Sequence, residues 1–284
     1  MAKRQRRGTH AAPAAEPGGG RGRRGWRRVL STILIVVGVG LLVVAAGIWG
    51  FNQYRYWRQD QVTQEMAQKY VTEPSSSDSS ATSTAPTVDW ASLKAMNDEA
   101  VGWIEVPGTV VNYAVFQHSD NSFYLAHGPN KEYDVFGQVF MDYQNTAPGM
   151  VDQQTILYGH HLKNGTMFQP LFLLKDQETF DNTPTIWYLT EGTSYELEPL
   201  FVYFTDPNDT TVRQFSFSSD EEFRSYLMER LAKAVSRRAD AEQIIQGTSH
   251  VLTLSTCNYY EGYGRSILVC VPKSEANAAT AASN

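Results

Sequence analysis

The sequence predicts a mostly β protein, a barrel or sandwich-like closed sheet, held behind a single membrane-crossing helix. Three observations point there. Eight short runs carry strand signals while only three read as helices. Residues 29–51, "VLSTILIVVGVGLLVVAAGIWGF", contain no charge over 23 positions. Between the two lies "PSSSDSSATSTAPT", a Ser/Thr/Pro-rich stretch with too little apolar surface to fold.

Taken from the N-terminus, residues 1–28 form a basic segment with nine Lys/Arg against Glu16 alone, a charge of +8. The chain as a whole carries −6, so everything after that segment sums to −14. An acidic body argues against nucleic acid as its partner, because phosphate binding needs clustered cations. At about 1.5 Å per residue the uncharged run spans roughly 34 Å, enough for a hydrocarbon core with some tilt. A cleaved signal peptide is the competing reading of "VVAAGIWG", although its apolar region would be only about 7–15 residues long. Trp26, Trp49, Tyr54, Tyr56 and Trp57 sit where interfacial aromatics belong. The basic side stays in the cytoplasm, which puts the C-terminal body outside. Residues 52–87 read as an extracellular spacer, partly disordered with a helical start; 88–273 is the folded unit, and 274–284 a disordered tail.

The expected strands are 102–106, 110–117, 138–142, 155–158, 185–190, 195–205, 251–256 and 265–271. Pro107-Gly108 turns the chain between the first two. The expected helices are 89–97, 167–174 and 220–236. The last has a capping-box start, Ser219 followed by Glu222, and apolar Phe223, Leu227, Leu231 and Val235 at near-helical spacing.

The chain has only two cysteines, Cys257 and Cys270. Outside the membrane two cysteines usually read as a disulfide. If "NYYEGYG" turns the chain between antiparallel strands, Cys257 faces Arg265 and Cys270 faces Leu252. The two sulfurs then lie five residues apart along the ladder, roughly 17 Å, beyond disulfide reach. Strand alternation sets Arg265, Ile267 and Val269 on one face and Cys270 on the other, making Cys270 a buried hydrophobe. Cys257 is a thiol at a strand end. "YGHH" places His160 and His161 just past another strand, and Arg265 begins a third. A nearby imidazole or cation favours the thiolate, the nucleophilic form, and arginine can hold a carbonyl or a developing oxyanion. His118, His127 and His250 have no partner motif. Asp206, Asp209, Asp220, Glu221 and Glu222 lack ligand spacing for calcium, so no metal or cofactor is expected.

These residues resemble the sortases, and among them class B. "TLSTC" at 253–257 matches the sortase signature. "YGHH" followed by "NGTMF" looks like the class B histidine segment, and Arg265 matches the sortase arginine. Residues 88–117 look like the class B N-terminal helix and first strands, and 219–237 like its long helix. The resemblance covers about 88–272. It implies an eight-stranded sortase-type β-barrel with an N-terminal helix and a long helix between the sixth and seventh strands. It also implies a cysteine transpeptidase of the Gram-positive surface that cuts a C-terminal sorting signal after threonine, holds it as a thioester on Cys257 and passes it to an amine of the cell wall or a pilin. His160, directly after the glycine, is the implied acid and base, and Arg265 the residue that steadies the tetrahedral intermediate. Tyr158 and Ser255 match positions lining the signal groove, Asn112 and Phe116 fall in the same class, and Thr211 and Val212 are candidates for another wall. A tethered cysteine hydrolase that releases its product to water needs the same nucleophile.

Overall fold

The computed structural model describes residues 21–74, 84–183, 185–257 and 264–281, with the backbone alone at 21–24, Cys257 and Thr280. Most of the basic N-terminal segment, the middle of the spacer, residue 184, residues 258–263, expected to turn the chain, and the last three residues therefore lie outside the described residues. Two compact units result, Met1–Arg55 and Tyr56–Asn284. In the first, helix α1 (Arg21–Tyr70) begins, and an 18-residue stretch of it has a mean hydropathy of 2.8 with none of its surface buried. Its apolar side chains, such as Leu34, Ile35, Leu41 and Leu42, are exposed, and the helix is long and apolar enough to cross a membrane.

The second unit opens with the end of α1. Met66, Ala67 and Tyr70 pack against Leu93, Trp103, Phe116 and Trp187. β1 (Val71–Thr72) and β2 (Thr87–Val88) then form a short antiparallel ribbon. The expectation of a folded unit starting at 88 thus falls short, because the apolar face of α1 past Tyr56 is part of the core. α2 (Trp90–Met96) is capped by Asp89, whose carboxylate accepts from the Ser92 N–H at 3.1 Å.

The barrel strands are β3 (Ala100–Glu105), β4 (Asn112–Phe116), β5 (Val139–Met141), β6 (Gln154–Tyr158), β7 (Ile186–Leu189), β8 (Ser194–Thr205), β10 (Val251–Cys257) and β11 (Arg265–Pro272). Their order is β11-β10-β6-β5-β4-β3-β7-β8, and β8 pairs back onto β11, closing an eight-stranded barrel. Pro107 and Gly108 make the β3–β4 turn, where Gly108 has φ +79. Inside, Ile104, Val115, Leu157, Tyr188, Leu254, Leu268 and Cys270 form the main core. The alternate residues of β11, Ile267, Val269 and Val271, face outward against Phe223, Leu227, Ile244 and Ile245. These come from α5 (Asp220–Leu231) and α6 (Ala241–Gly247), which cover that side. Each such aliphatic side chain contributes about 1.5–3 kcal/mol on burial. α3 (Gln169–Leu173) and α4 (Gln177–Asp181) fill the β6–β7 connection.

Two expectations need correction. The helix expected over 220–236 ends at Leu231, and residues 234–237 form strand β9 (Ala234–Arg237) on β8. β7 pairs only with Ser194–Leu197 of the twelve-residue β8, so the edge at Phe201–Tyr203 is open and takes a new ladder. Filling those backbone bonds outweighs helical periodicity, and Val235 is left exposed. The tail expected to be disordered instead forms α7 (Lys273–Ala281). Ala276 is buried against the outer cluster, Glu275 accepts from the Ser249 N–H at 3.0 Å, and Lys273 pairs with Glu196 at 2.6 Å.

Candidate active site

Three strand ends meet at one rim of the barrel. β6 and β10 run parallel and reach it together, with Tyr158 beside Ser255, and the Gly159 N–H donates to the Ser255 carbonyl at 3.1 Å. β11 starts at the same rim, antiparallel to β10, so that Cys257 stands opposite Arg265 and Ser255 opposite Ile267. Cys270 stands opposite Leu252, which is the register expected from the intervening turn. Cys270 is a free thiol, fully buried, and desolvation pushes its pKa far up, so it is an inert core residue.

His160 follows directly on Gly159, and only glycine fits there: a Cβ would lie 2.6 Å from the Phe168 ring. The His160 carbonyl accepts from the Phe168 N–H at 2.9 Å, and its Nε2 lies 2.9 Å from the Leu125 carbonyl oxygen. A carbonyl only accepts, so Nε2 carries the proton in that bond, and in the neutral ring Nδ1 is the basic nitrogen. His161 turns away and packs against Phe172, with ring centroids 5.0 Å apart.

Below the rim is a groove of about 240 Å³. Tyr158, Gly159, His160, Ser255, Arg265 and Ile267 line it from the three strand ends, Asn121, Leu125 and Phe140 from one side, and Pro207, Asp209, Val212 and Arg213 from the other. The Tyr158 hydroxyl donates to Asp142 Oδ2 at 2.8 Å; burial and that neighbouring charge push the phenol well above its ordinary range. Asp142 has no exposure at all. Burial alone would raise its pKa, but bonds from Arg213, the Gln144 N–H, Tyr158 and Asn121 hold it below the usual carboxylate value.

Of the residues singled out from sequence, His160, Arg265, Tyr158, Ser255 and Val212 share this groove, and the backbone of Cys257 ends the strand beside it. The side chain of Cys257 lies outside the described residues. Three expected wall residues are elsewhere. Asn112 starts β4, four residues before Phe116, whose strand partner Phe140 pairs in turn with Tyr158. At about 3.3 Å per residue that puts Asn112 roughly 13 Å down the barrel from the rim, where its Oδ1 accepts from the Trp103 indole at 2.5 Å. Phe116 is at rim level but fully buried, stacked on Tyr124 at 5.1 Å. Thr211 turns to Asp209 and accepts from Arg230 at 2.9 Å. The sequence reading missed Asn121, Asp142 and Arg213, which come from separate loops with no motif between them. Among the described residues, no group of three or more His, Cys, Asp or Glu is arranged to hold a metal ion.

A closed barrel that brings the strand ends bearing Cys257, His160 and Arg265 to one rim suits a cysteine-dependent acyl transfer, and comparison with known proteins gives the class. A family model described as the Sortase domain matches residues 104–273, and the chain belongs to the sortase family, whose members are cysteine transpeptidases. Within it the similarity is to sortase B. Sortase B of Listeria monocytogenes is 32% identical over 177 residues, covering 62% of this chain and 70% of that protein. Sortase B of Staphylococcus aureus is 31% identical over 180 residues, covering 63% and 72%. The crystal structure of sortase B from B. anthracis in complex with AAEK1 superposes with a TM-score of 0.62 at 30% identity, covering 78% of this chain and 99% of that one. Sortases are cell-surface enzymes that act on surface proteins carrying sorting signals, and sortase B is a cell-wall sorting enzyme.

Proposed function

We propose that this chain is a membrane-anchored transpeptidase that cleaves a C-terminal sorting signal after its threonine and joins the released surface protein to an amine. The thiolate of Cys257 attacks the threonine carbonyl carbon, and the guanidinium of Arg265 holds the negative charge that develops on the carbonyl oxygen. His160 protonates the leaving nitrogen as the C–N bond breaks, which leaves a thioester on Cys257. His160 then takes a proton from the incoming amine. That nitrogen attacks the thioester, the C–S bond breaks, and the thiolate is restored.

The observation that carries this reading is the pairing of Cys257 with Arg265 across β10 and β11, with His160 and Arg265 lining one groove. Tyr158, Ser255 and Val212, in the same groove, would contact the signal's backbone and side chains. The apolar stretch 29–51 is the anchor in the lipid bilayer, and the nine basic residues before it hold the N-terminus in the cytoplasm with the barrel outside. The acceptor amine would come from a peptidoglycan precursor or a pilin lysine.

The test uses the full chain in detergent micelles and a fluorogenic Xaa-Xaa-Xaa-Thr-Xaa peptide library, with and without triglycine as the amine. The expected product carries the acceptor on the threonine carbonyl. Cleavage that proceeds while acceptor never enters the product would make the enzyme a hydrolase.

A further inference from the structure

The carboxylate of Asp142 collects donors from three segments distant in sequence and from its own chain two residues on. Arg213 Nε donates to Oδ2 at 2.8 Å and its second nitrogen to Oδ1 at 3.0 Å, a two-pronged fork. The Tyr158 hydroxyl and the Asn121 amide each donate to Oδ2 at 2.8 Å, and the Gln144 N–H donates to Oδ1 at 3.0 Å. The bond to Asn121 is returned, since its Oδ1 accepts from the Tyr143 N–H at 2.9 Å. Arg213 is fixed further by Gln144 Oε1 at 2.7 Å and lies 5.5 Å from the Tyr143 ring centroid and 5.9 Å from that of Phe215. A fully buried carboxylate is tolerated only with this degree of pairing.

Three of these donors, Tyr158, Asn121 and Arg213, lead to different parts of the groove. Tyr158 is part of its lining and stands two residues before His160. Asn121 heads the segment that ends in Leu125, whose carbonyl holds His160 Nε2. Arg213 directly follows Val212, on the facing wall. One carboxylate therefore ties the strand-end lining, the histidine's support and the far wall together.

We propose that the Asp142–Arg213 ion pair is a positioning clamp that sets the distance between the groove's walls and thereby the affinity for the sorting-signal peptide. It rests on the transpeptidase reading. The pair touches none of the groups that make or break bonds. Without Arg213 the Asn121 amide, the Tyr158 hydroxyl and the Gln144 N–H still hold Asp142, so the segment that supports His160 keeps its place. Loss of the pair acts on substrate binding and leaves the chemical step largely intact. Lysine at 213 keeps the charge but not the fork, and recovers only part of the function.

The test compares the full chain in detergent micelles with Arg213→Ala, Arg213→Lys and Asp142→Asn. One peptide is chosen beforehand from the Xaa-Xaa-Xaa-Thr-Xaa library on the unaltered protein. Arg213→Ala should raise KM about tenfold or more, with kcat within about threefold and iodoacetamide alkylation of Cys257 within about twofold of the unaltered protein. Arg213→Lys should fall between. Asp142→Asn tests the other partner, and Arg213→Lys remains informative if Asp142→Asn fails to fold. A lower melting temperature with KM unmoved in both Arg213 variants would make the pair a purely structural tie and overturn the clamp. So would a fall in kcat at constant KM. If the unaltered protein cleaves no library member, the transpeptidase reading itself fails, an outcome visible before any variant is measured.

Discussion

Glu105→Gln should stabilise the protein at pH 8 and change little at pH 4, below the window in which the penalty develops. Glu105 ends β3, paired with Asn112 on one side and Trp187 on the other. It is 8% exposed, and its Oε2 has no hydrogen-bond partner among the described residues. Burial, with Glu73 adding to it, pushes the carboxyl from an ordinary 4.5 up to about 7. Between those values the folded chain keeps a proton that the unfolded chain has released, so stability falls as pH rises through that window. Above about 7 both states are ionised and the penalty is constant. At about 1.4 kcal/mol for each pH unit, the interval corresponds to roughly 3 kcal/mol, and partial access to water reduces this to roughly 1–2 kcal/mol. Glutamine keeps the shape and carries no charge. For a domain of this size about 1 kcal/mol moves the melting temperature by about 2–4 °C, so thermal melts should place the variant roughly 2–8 °C above the parent at pH 8 and within about 1 °C of it at pH 4. An equal displacement at both pH values, or a lower melt at pH 8, would refute the reasoning.

Three further outcomes follow from the geometry. A chain starting at residue 88 loses Tyr70, which is 3% exposed, along with Met66, Ala67 and the β1–β2 ribbon; at about 3–5 kcal/mol for a buried aromatic alone, it should melt at least about 10 °C below a chain starting at residue 56, and equal melts would contradict the placement. Gly159→Ala drives a methyl group into Phe168 and should lower peptide cleavage about tenfold or more by displacing His160, as measured by kcat/KM; unchanged turnover would show that the segment yields freely. Iodoacetamide on the native protein should add one group, at Cys257, and a second at Cys270 only after denaturation, because Cys270 is fully buried; two rapid adducts on the native protein, read by intact mass, would contradict this.

Much of the site was legible because it depends on local register. A short turn between two apolar runs fixes which residues face each other, and so Cys257 opposite Arg265 and Cys270 opposite Leu252 follow from counting alone. The strands were legible from alternation and turn residues for the same reason. What the sequence hid depends on long-range geometry. Residues 232–236 continue a helical pattern, yet the open edge of β8, about thirty residues earlier, takes them as β9. The tail's alanines look featureless until Ala276 meets the outer cluster. Phe116 and Asn112 sit on the right strand, but burial against Tyr124 and distance along the strand remove them from the groove. Asp142 and Arg213 are separated by 71 positions in unrelated loops, and no local pattern joins them.

The central claim, that Cys257 carries the acyl group, is tested most directly by intact-mass spectrometry of the full chain quenched with acid during turnover of a sorting-signal peptide. A mass increase equal to the peptide's acyl part, mapped to Cys257, lost on adding hydroxylamine and missing from Cys257→Ala, is the predicted result. Undiminished cleavage by Cys257→Ala, with no adduct on the parent protein, would contradict the account.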